Sequence, residues 1–335
     1  MNREKSVGTA PAVADGSEAV GGGSAGLRTK AQMQAAIRRD RRAALVVNTR
    51  SRRGRRLYSA VRSQLVAAGV ELLGAFRVDR PGQLVRSLQA ATDLQPDLLI
   101  VGGGDGSISQ AASHLAYRDI ALGLLPLGTT NNFARSLAIP LNLPDAIAVL
   151  TTGKVADVDL GHVGELVFAN LVSIGMSAQV ARHVPAGLKR LIGRVAYPVT
   201  AVARLPWHRP FHARVLIDGR LIEFDTHQLN IANGSFHAGR PITGDASVDD
   251  RLLLVYPLGG HRRIHLVGAT IRHAITGRYR TNAEEPFITA HDVWLDTTPS
   301  LPLDVDGEIH GHTPARITLA AGALRVMVGD DFPDT

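Results

Sequence analysis

The stretch LIVGGGDGSISQ, residues 99–110, has an apolar run that ends in three glycines, Asp105 and a fourth glycine, followed by a helix-forming sequence. A strand that ends in glycines before a helix is typical of phosphate-binding loops, because backbone N–H groups can approach the phosphate and the helix dipole favours an anion. A P-loop is excluded because no lysine precedes Ser107, and Ser107 also replaces the third glycine of the dinucleotide-binding pattern. The stretch therefore predicts a nucleotide-phosphate loop in which Asp105 acts through Mg²⁺ or a polar contact; a tight structural turn is the alternative.

A second stretch, LLPLGTTNNFARSLAIP at residues 124–140, repeats this arrangement. An apolar run is followed by a Gly–Thr turn, and Thr130, Asn131 and Asn132 then open a helix. Asparagines at a helix start are often only N-caps. Since the carboxyl ends of neighbouring parallel strands meet at one edge of a sheet, where open α/β sheets bind ligands, we expect both loops to line one site.

The pattern of apolar runs changes near residue 160. Before it, strand-like and helix-like segments alternate, which predicts an α/β domain with a mostly parallel sheet covered on both faces. After it, short β-type runs separated by Asp–Gly turns predict a β-rich antiparallel sandwich, interrupted by helices at 185–205 and 261–279. The predicted divisions are a disordered, basic tail at 1–40, the α/β domain at 41–160 and the β-rich domain at 161–330.

The composition limits the kinds of protein that this chain can be. It has 335 residues, a net charge of +7 and no cysteine, so disulfides and thiolate metal sites are excluded. No apolar run is long enough to cross a membrane and no secretion signal is visible, which favours the cytoplasm. Arginines concentrate at 37–42 and 50–56, as expected of a solvated basic face or of attraction to an anionic membrane. With Tyr58 as the only aromatic residue there, nucleic-acid binding is not expected.

Four motifs occur in an order that resembles the diacylglycerol kinase catalytic-domain family, which includes sphingosine kinases and bacterial lipid kinases. They are VVNTRSRRG (46–54), GGGDGS (102–107), PLGTTNNFARSLAIP (126–140) and LDVDGEIHG (303–311). FANLVSIGMSAQV (168–180) and NGSFHAGRPITGDASVDDRLLLV (233–255) extend the resemblance, which runs from about 43 to 329. It implies an N-terminal α/β domain and a larger β-rich domain, with ATP and the lipid headgroup meeting in the cleft between them.

The resemblance also implies roles for individual residues. Glu308 would take the proton from the lipid hydroxyl, and Asp105 would belong to the same catalytic centre. Asp306, two residues before Glu308, could orient the site or simply form the turn. The residues that would hold ATP are Asn48, Gly103, Gly104, Asp105, Gly106, Ser107, Ser109, Gln110, Gly128, Thr129 and Asn131.

A magnesium site is implied in the second half of the chain. Mg²⁺ would be bound by Asp250, with Ser247 and Leu252 contributing backbone carbonyls. Arg251 replaces the glycine that follows this aspartate in the family, and it could disturb the turn or neutralise Asp250.

Other positions also depart from the family pattern. Asn132 replaces the usual aspartate, Asp79 the usual threonine, and Ser109–Gln110 the commoner Asn–Glu. Because the GGDG and DGE motifs both survive, we expect an active enzyme that uses ATP and Mg²⁺ to phosphorylate diacylglycerol or a related lipid.

We expect this enzyme to be cytoplasmic and peripheral at the inner membrane face. An amphipathic helix at 187–206 could dock on lipid or simply face the core, and homo-oligomerisation is left open. Two alternative functions remain. NAD kinase shares the GGDG loop but usually lacks PLGTxNDFAR, and a non-catalytic nucleotide- or lipid-binding protein would explain the departures but not the intact Glu308.

Overall fold

A computed structural model describes residues 27–183, 208–234, 236–237, 240–242, 248–258 and 288–334. The helices expected at 185–205 and 261–279, most of the expected N-terminal tail and Ser247 lie outside these ranges. Within them, no helix is long and apolar enough to cross a membrane.

The first half forms a parallel sheet of four strands in the order β2-β1-β3-β4. The strands are β1 (Arg42–Asn48), β2 (Glu71–Val78), β3 (Leu98–Gly103) and β4 (Ala121–Pro126), and β3 and β4 are buried along their whole length. Buried apolar runs of this kind are expected where helices cover both faces of a sheet. The helices between the strands are α2 (Arg52–Ala67), α3 (Gln83–Thr92) and α4 (Asp105–Leu115). The predicted α/β architecture is confirmed.

Helix α1 (Lys30–Asp40) lies in the basic end of the predicted 1–40 tail, where no helix was predicted. Thr29 and Gln32 form a capping box at its start, each side chain bonded to the other's backbone N–H. Met33 and Ile37, four residues apart on one helix face, are buried in the core of the first domain. Burial of this apolar face stabilises a helix whose remaining surface is polar, with three basic residues.

Helix α3 starts at Gln83, directly after Gly82, which has the left-handed conformation with φ 73°. The Gln83 side-chain oxygen accepts hydrogen bonds from the backbone N–H groups of Asp79 and Arg80, which ties the preceding loop to the first residue of the helix. Gly69 follows the end of α2 in the left-handed conformation, with φ 81°.

The second half is a sandwich of antiparallel strands, as predicted. One layer contains six strands in the order β14-β13-β10-β7-β16-β17. Side chains on one face of this layer, such as Val172 and Ile174, pack against the strands of the facing layer. The six strands are β7 (Leu171–Gly175), β10 (Gln228–Ala232), β13 (Leu253–Leu258), β14 (Ile288–Ala290), β16 (Pro302–Val305) and β17 (Glu308–His312).

The facing layer is continuous with the parallel sheet of the first half. Strand β18 (Ala315–Val328) pairs with β15 (Asp292–Thr298) at its start and, in parallel, with β4 at Val326. Strand β5 (Lys154–Val163) runs beside β18 along most of its length. The result is a single ten-stranded sheet in which β18 lies next to the fourth strand of the first domain. β6 (Leu166–Phe168), β8 (Phe211–Ile217) and β9 (Arg220–Thr226) complete this sheet.

Short elements complete the described structure. Helices α5 (Asn132–Ser136) and α6 (Leu143–Thr152) lie between β4 and β5, and α7 (Met176–His183) follows β7. β11 (Phe236–His237) and β12 (Arg240–Pro241) form a small antiparallel pair.

Candidate active site

The two glycine loops predicted from the sequence contact each other at one edge of the sheet. We call residues 102–107 the first glycine loop and 128–132 the second glycine loop. A Cβ atom on Gly104 would lie 3.2 Å from the Cα of Gly128, and one on Gly128 would lie 2.3 Å from the Cα of Gly104. Only a backbone without side chains permits this approach, so the glycines are required for packing of the two loops.

Asp105, the first residue of α4, joins the two loops through both of its carboxylate oxygens. Oδ2 accepts a hydrogen bond of 2.6 Å from Thr130 Oγ1, and Oδ1 accepts one from the backbone N–H of Asn132. Because the second donor is a backbone group, the replacement of the usual aspartate by Asn132 does not remove this contact. The position of Asp105 in the first turn of α4 also favours its negative charge.

Asn131 shapes the second glycine loop with its side chain. Its backbone is left-handed, with φ 51°, a conformation that asparagine adopts more readily than most residues. Oδ1 accepts from the N–H of Gly128 at 3.0 Å, and Nδ2 donates to the Gly128 carbonyl at 3.1 Å. The side chain therefore closes the loop and does not cap α5, while the neighbouring Thr129 is exposed at the loop tip.

Asn48, at the end of β1, contacts the first glycine loop. Its Nδ2 donates a 2.8 Å hydrogen bond to Oγ of Ser107. A Cβ on Gly103 would lie only 2.7 Å from the Cβ of Ser107, whereas a Cβ on Gly106 would meet no atom within 4 Å. The structure thus brings these predicted nucleotide-binding residues together and leaves the backbone at Gly106 open on one side.

Helix α4 and the turn between β16 and β17 both line a cleft of about 320 Å³. Gly106, Ser109 and Gln110 line it from α4, and Asp306 and Glu308 line it from the turn. The Glu308 side chain is 65% exposed, and its Oε2 lies 3.7 Å from Nε2 of His310. Residues that are about 200 positions apart in the chain therefore face the same cleft.

Asp306 makes contacts in this cleft that its sequence did not indicate. Its carboxylate accepts hydrogen bonds from Oγ of Ser109 and from the backbone N–H groups of Ala169, Asn170 and Leu171. Burial raises the pKa of Asp306, and these four donors oppose the rise. Asp306 therefore links α4 to the β16–β17 turn and to the segment that contains Ala169, Asn170 and Leu171.

Asp304 lies on the opposite face of β16 from Leu303 and Val305, which belong to the sandwich core. Asp304 is 8% exposed, and its Oδ1 has no hydrogen-bond partner among the described residues. Burial raises the pKa of Asp304 to about 6. The burial of this carboxyl could not be predicted from the sequence, because the alternation in LPLDVD shows only that Asp304 lies on the other face of the strand.

The predicted metal-site loop is only partly described. Oδ1 of Asp250 accepts a 3.0 Å hydrogen bond from the N–H of Leu252, so the amide of Leu252 contacts this carboxylate. Arg251 is left-handed, with φ 57°, and its N–H donates to Oδ2 of the buried Asp159 at 2.8 Å. Burial raises the pKa of Asp159. In the described ranges no group of three or more His, Cys, Asp or Glu side chains is close enough to hold a metal ion.

The Asp250 loop can be compared with what Mg²⁺ requires. The described residues do not form a protein cage for Mg²⁺, but Asp250 can supply one carboxylate. Mg²⁺ that arrives with ATP needs only one or two carboxylates besides phosphate oxygens and water. The loop is thus compatible with Mg²⁺ carried by the nucleotide.

Comparison with known proteins places both halves of the chain in one family. Residues 42–163 match the "Diacylglycerol kinase catalytic domain" and residues 170–328 the "YegS C-terminal NAD kinase beta sandwich-like domain". A "Probable lipid kinase YegS-like" of Pseudomonas fluorescens is 33% identical over 258 residues, which cover 75% of this chain and 84% of the relative. A "Diacylglycerol kinase" of Staphylococcus epidermidis is 27% identical over 282 residues, covering 82% and 88%.

The fold is similarly shared with solved structures. A diacylglycerol kinase structure from Bacillus anthracis str. Sterne superposes with a TM-score of 0.69 at 22% identity, covering 86% of this chain and 97% of the other. The matches to both domain models, together with the identity to the Pseudomonas relative, show that this chain belongs to the diacylglycerol kinase family of lipid kinases.

Proposed function

We propose that this protein transfers the γ-phosphate of ATP to the hydroxyl group of diacylglycerol or a chemically related lipid. The observation that carries this proposal is the cleft in which the open backbone at Gly106 faces the exposed carboxylate of Glu308. Phosphoryl transfer to an alcohol requires a phosphoryl donor on one side of the cleft and a proton acceptor on the other. The curated relatives named as lipid kinases support this class of acceptor.

The first glycine loop is suited to hold the phosphates of ATP. Its backbone enters α4 at Asp105, where unpaired N–H groups and the positive end of the helix dipole favour anions. The exposed Thr129 of the second glycine loop offers a further hydroxyl at the same edge. Mg²⁺ bound with ATP would neutralise charge that develops on the phosphates, with Asp250 as the carboxylate that helps to hold it.

Glu308 is the better candidate for the proton acceptor. In the transfer, the lipid hydroxyl oxygen bonds to the γ-phosphorus, the bond from that phosphorus to the bridging oxygen of ADP breaks, and the hydroxyl proton passes to the Glu308 carboxylate. Both oxygens of Asp105 already accept hydrogen bonds from the second glycine loop. Asp105 therefore organises the nucleotide site, and Glu308 accepts the proton.

Exposed arginines at and just before the start of α2 support attachment of this enzyme to an anionic membrane. In a cytoplasmic protein this would be the inner face of the membrane. Arg50, Arg52, Arg55 and Arg56 are exposed, and none of them pairs with a carboxylate in the described part of the chain. They follow the carboxyl end of β1, so they lie at the same edge of the sheet as the two glycine loops. Positive charge at this edge would hold the cleft against acidic headgroups that surround the lipid substrate.

The test is transfer of label from γ-labelled ATP to a panel of hydroxyl lipids in mixed micelles, with NAD present as a water-soluble acceptor. A labelled diacylglycerol or related lipid is expected. Label in NADP would instead support the NAD kinase alternative, and nucleotide binding without transfer would support a non-catalytic protein.

Glu308→Gln tests the proton acceptor in the same assay. The variant should lose turnover while it binds ATP as well as the wild type does. Glu223→Gln is the matched control, because Glu223 pairs with Arg214 on β8, outside the cleft. A folded Glu308→Gln enzyme with most of its activity would remove Glu308 from this role.

A further inference from the structure

Asp306 is anchored in a way that a turn aspartate does not require. Asp306 and Gly307 form the two-residue turn between β16 and β17, with φ 50° and 93°, a geometry that Asp–Gly pairs favour without help from outside the hairpin. Asp306 nevertheless accepts four hydrogen bonds, and its own N–H donates to the Leu171 carbonyl at 2.9 Å. A carboxylate with four donors is fully used as an acceptor, so it is held in one position.

The four donors come from two distant parts of the chain. Ala169, Asn170 and Leu171 donate from the segment between β6 and β7, at 2.8, 3.0 and 2.9 Å. Ser109 donates from α4, 197 residues away in sequence. Ser109 lies one helical turn after Asp105 and therefore on the same face of α4. The Asp306 carboxylate thus connects the β16–β17 turn to the helix whose first residue belongs to the nucleotide loop.

Glu308 depends on this connection for its position. It follows the turn as the first residue of β17, and its side chain is 65% exposed. In the described part of the chain no hydrogen bond holds its carboxylate; its neighbour His310 is 3.7 Å away. The backbone of the turn is therefore what fixes the distance between Glu308 and the first glycine loop.

We propose that Asp306 is a positioning residue, which sets Glu308 relative to bound nucleotide through the hydrogen bond from Ser109. This inference rests on the proposed function of Glu308. A displacement of about 1 Å at a reacting group can cost about 100-fold in rate, so a link of this kind has a measurable effect on kcat. The resemblance assigned Ser109 to ATP, but its hydroxyl donates to Asp306 instead, so binding of ATP at the glycine loops does not need the link.

The experiment compares kcat and KM for ATP of Asp306→Asn, Ser109→Ala and Ser109→Thr. Asp306→Asn should lower kcat about 100-fold, and Ser109→Ala about tenfold, with KM for ATP within about threefold of the wild type. Ser109→Thr keeps the hydroxyl and should restore most of kcat. Because Ser109 acts only through its bond to Asp306, the double variant should be no slower than Asp306→Asn alone.

Each outcome separates this inference from the proposed function. Wild-type kcat in Ser109→Ala, or effects that add in the double variant, would overturn the positioning role even if Glu308→Gln is inactive. Full activity of Glu308→Gln would overturn the proposed function instead. If Asp306→Asn fails to fold, the Ser109→Ala and Ser109→Thr pair decides the question alone, because Ser109 contributes one of the four bonds.

Discussion

Thr130 Oγ1 lies 2.6 Å from Oδ2 of Asp105, and this hydrogen bond crosses from the second glycine loop to the first. A hydrogen bond to a charged group is among the stronger ones that a protein makes. It fixes the mutual position of two loops that would otherwise be held mainly by contact between glycine backbones. The proposed nucleotide site is therefore formed by both loops together.

We predict that Asp105→Asn severely weakens catalysis, because the amide keeps one acceptor oxygen and places an NH₂ group against the other donor. Thr130→Ala, which removes one bond only, should raise KM for ATP by about tenfold, the effect of one hydrogen bond to a charged partner. Thr130→Ser keeps the hydroxyl and serves as the control. Steady-state kinetics check this, and wild-type values for Asp105→Asn would contradict the assignment of the loop.

Gly128→Ala should lower the stability of the protein, whereas Gly106→Ala should not. A Cβ atom at position 128 would lie 2.3 Å from the Cα of Gly104, so the loops must separate and the Tm should fall. A Cβ atom at position 106 would meet no atom within 4 Å, and alanine is favourable in a helix, so the Tm of that variant should be unchanged or higher. If phosphate approaches this backbone, Gly106→Ala should nevertheless raise KM for ATP. Equal KM values for Gly106→Ala and the wild type would place the phosphates elsewhere.

Asp304 should make folding stability depend on pH. Its pKa is raised from 3.8 to about 6 in the folded protein, so between pH 4 and 6 the folded state binds more protons than the unfolded chain. The free energy of unfolding therefore falls as pH rises through this window, by about 2–3 kcal/mol from this group.

In Asp304→Asn, the side chain at position 304 is uncharged at every pH in this window. The free energy of unfolding of the variant should therefore not show this fall. Urea unfolding of both proteins at about pH 4 and pH 7.5 measures it: the stability of the variant relative to the wild type should increase by that amount at the higher pH. A difference that stays constant with pH would show that Asp304 titrates normally.

Arg52→Gln/Arg56→Gln should weaken binding to phosphatidylglycerol vesicles. Each arginine near an anionic surface contributes about 1 kcal/mol, so the double variant should partition about 30-fold less. Arg39→Gln/Arg42→Gln removes the same charge from the opposite end of β1, about 20 Å away, and should bind nearly as the wild type does. Vesicle sedimentation in low and high salt checks this, and equal losses in both variants would indicate attraction by net charge alone.

Much of the fold could be predicted from local sequence patterns. The buried runs of β3 and β4 and the helices between strands follow from hydrophobic periodicity, and the glycines at 104 and 128 mark where the chain approaches itself. Helix α1 was missed because its many polar and basic residues obscure the spacing of Met33 and Ile37. The two arginine clusters, at 37–42 and 50–56, are close in sequence, but they lie at opposite ends of β1.

Contacts between distant segments could not be predicted in this way. Ser109 and Asp306 are 197 residues apart, and neither local sequence indicates the other. Likewise, the apolar alternation of β18 predicts a strand but not that it pairs with β4. Such pairings depend on the packing of the whole chain rather than on the preferences of any segment.

The position of β18 also has a consequence for the synthesis of this enzyme. The strand that covers the edge of β4 leaves the ribosome about 200 residues after β4 itself is finished. Until then, the half that carries the glycine loops presents an open strand edge to solvent and to chaperones. We therefore expect that a nascent chain, or one truncated before β18, lacks the strand that pairs with β4 in the finished sheet.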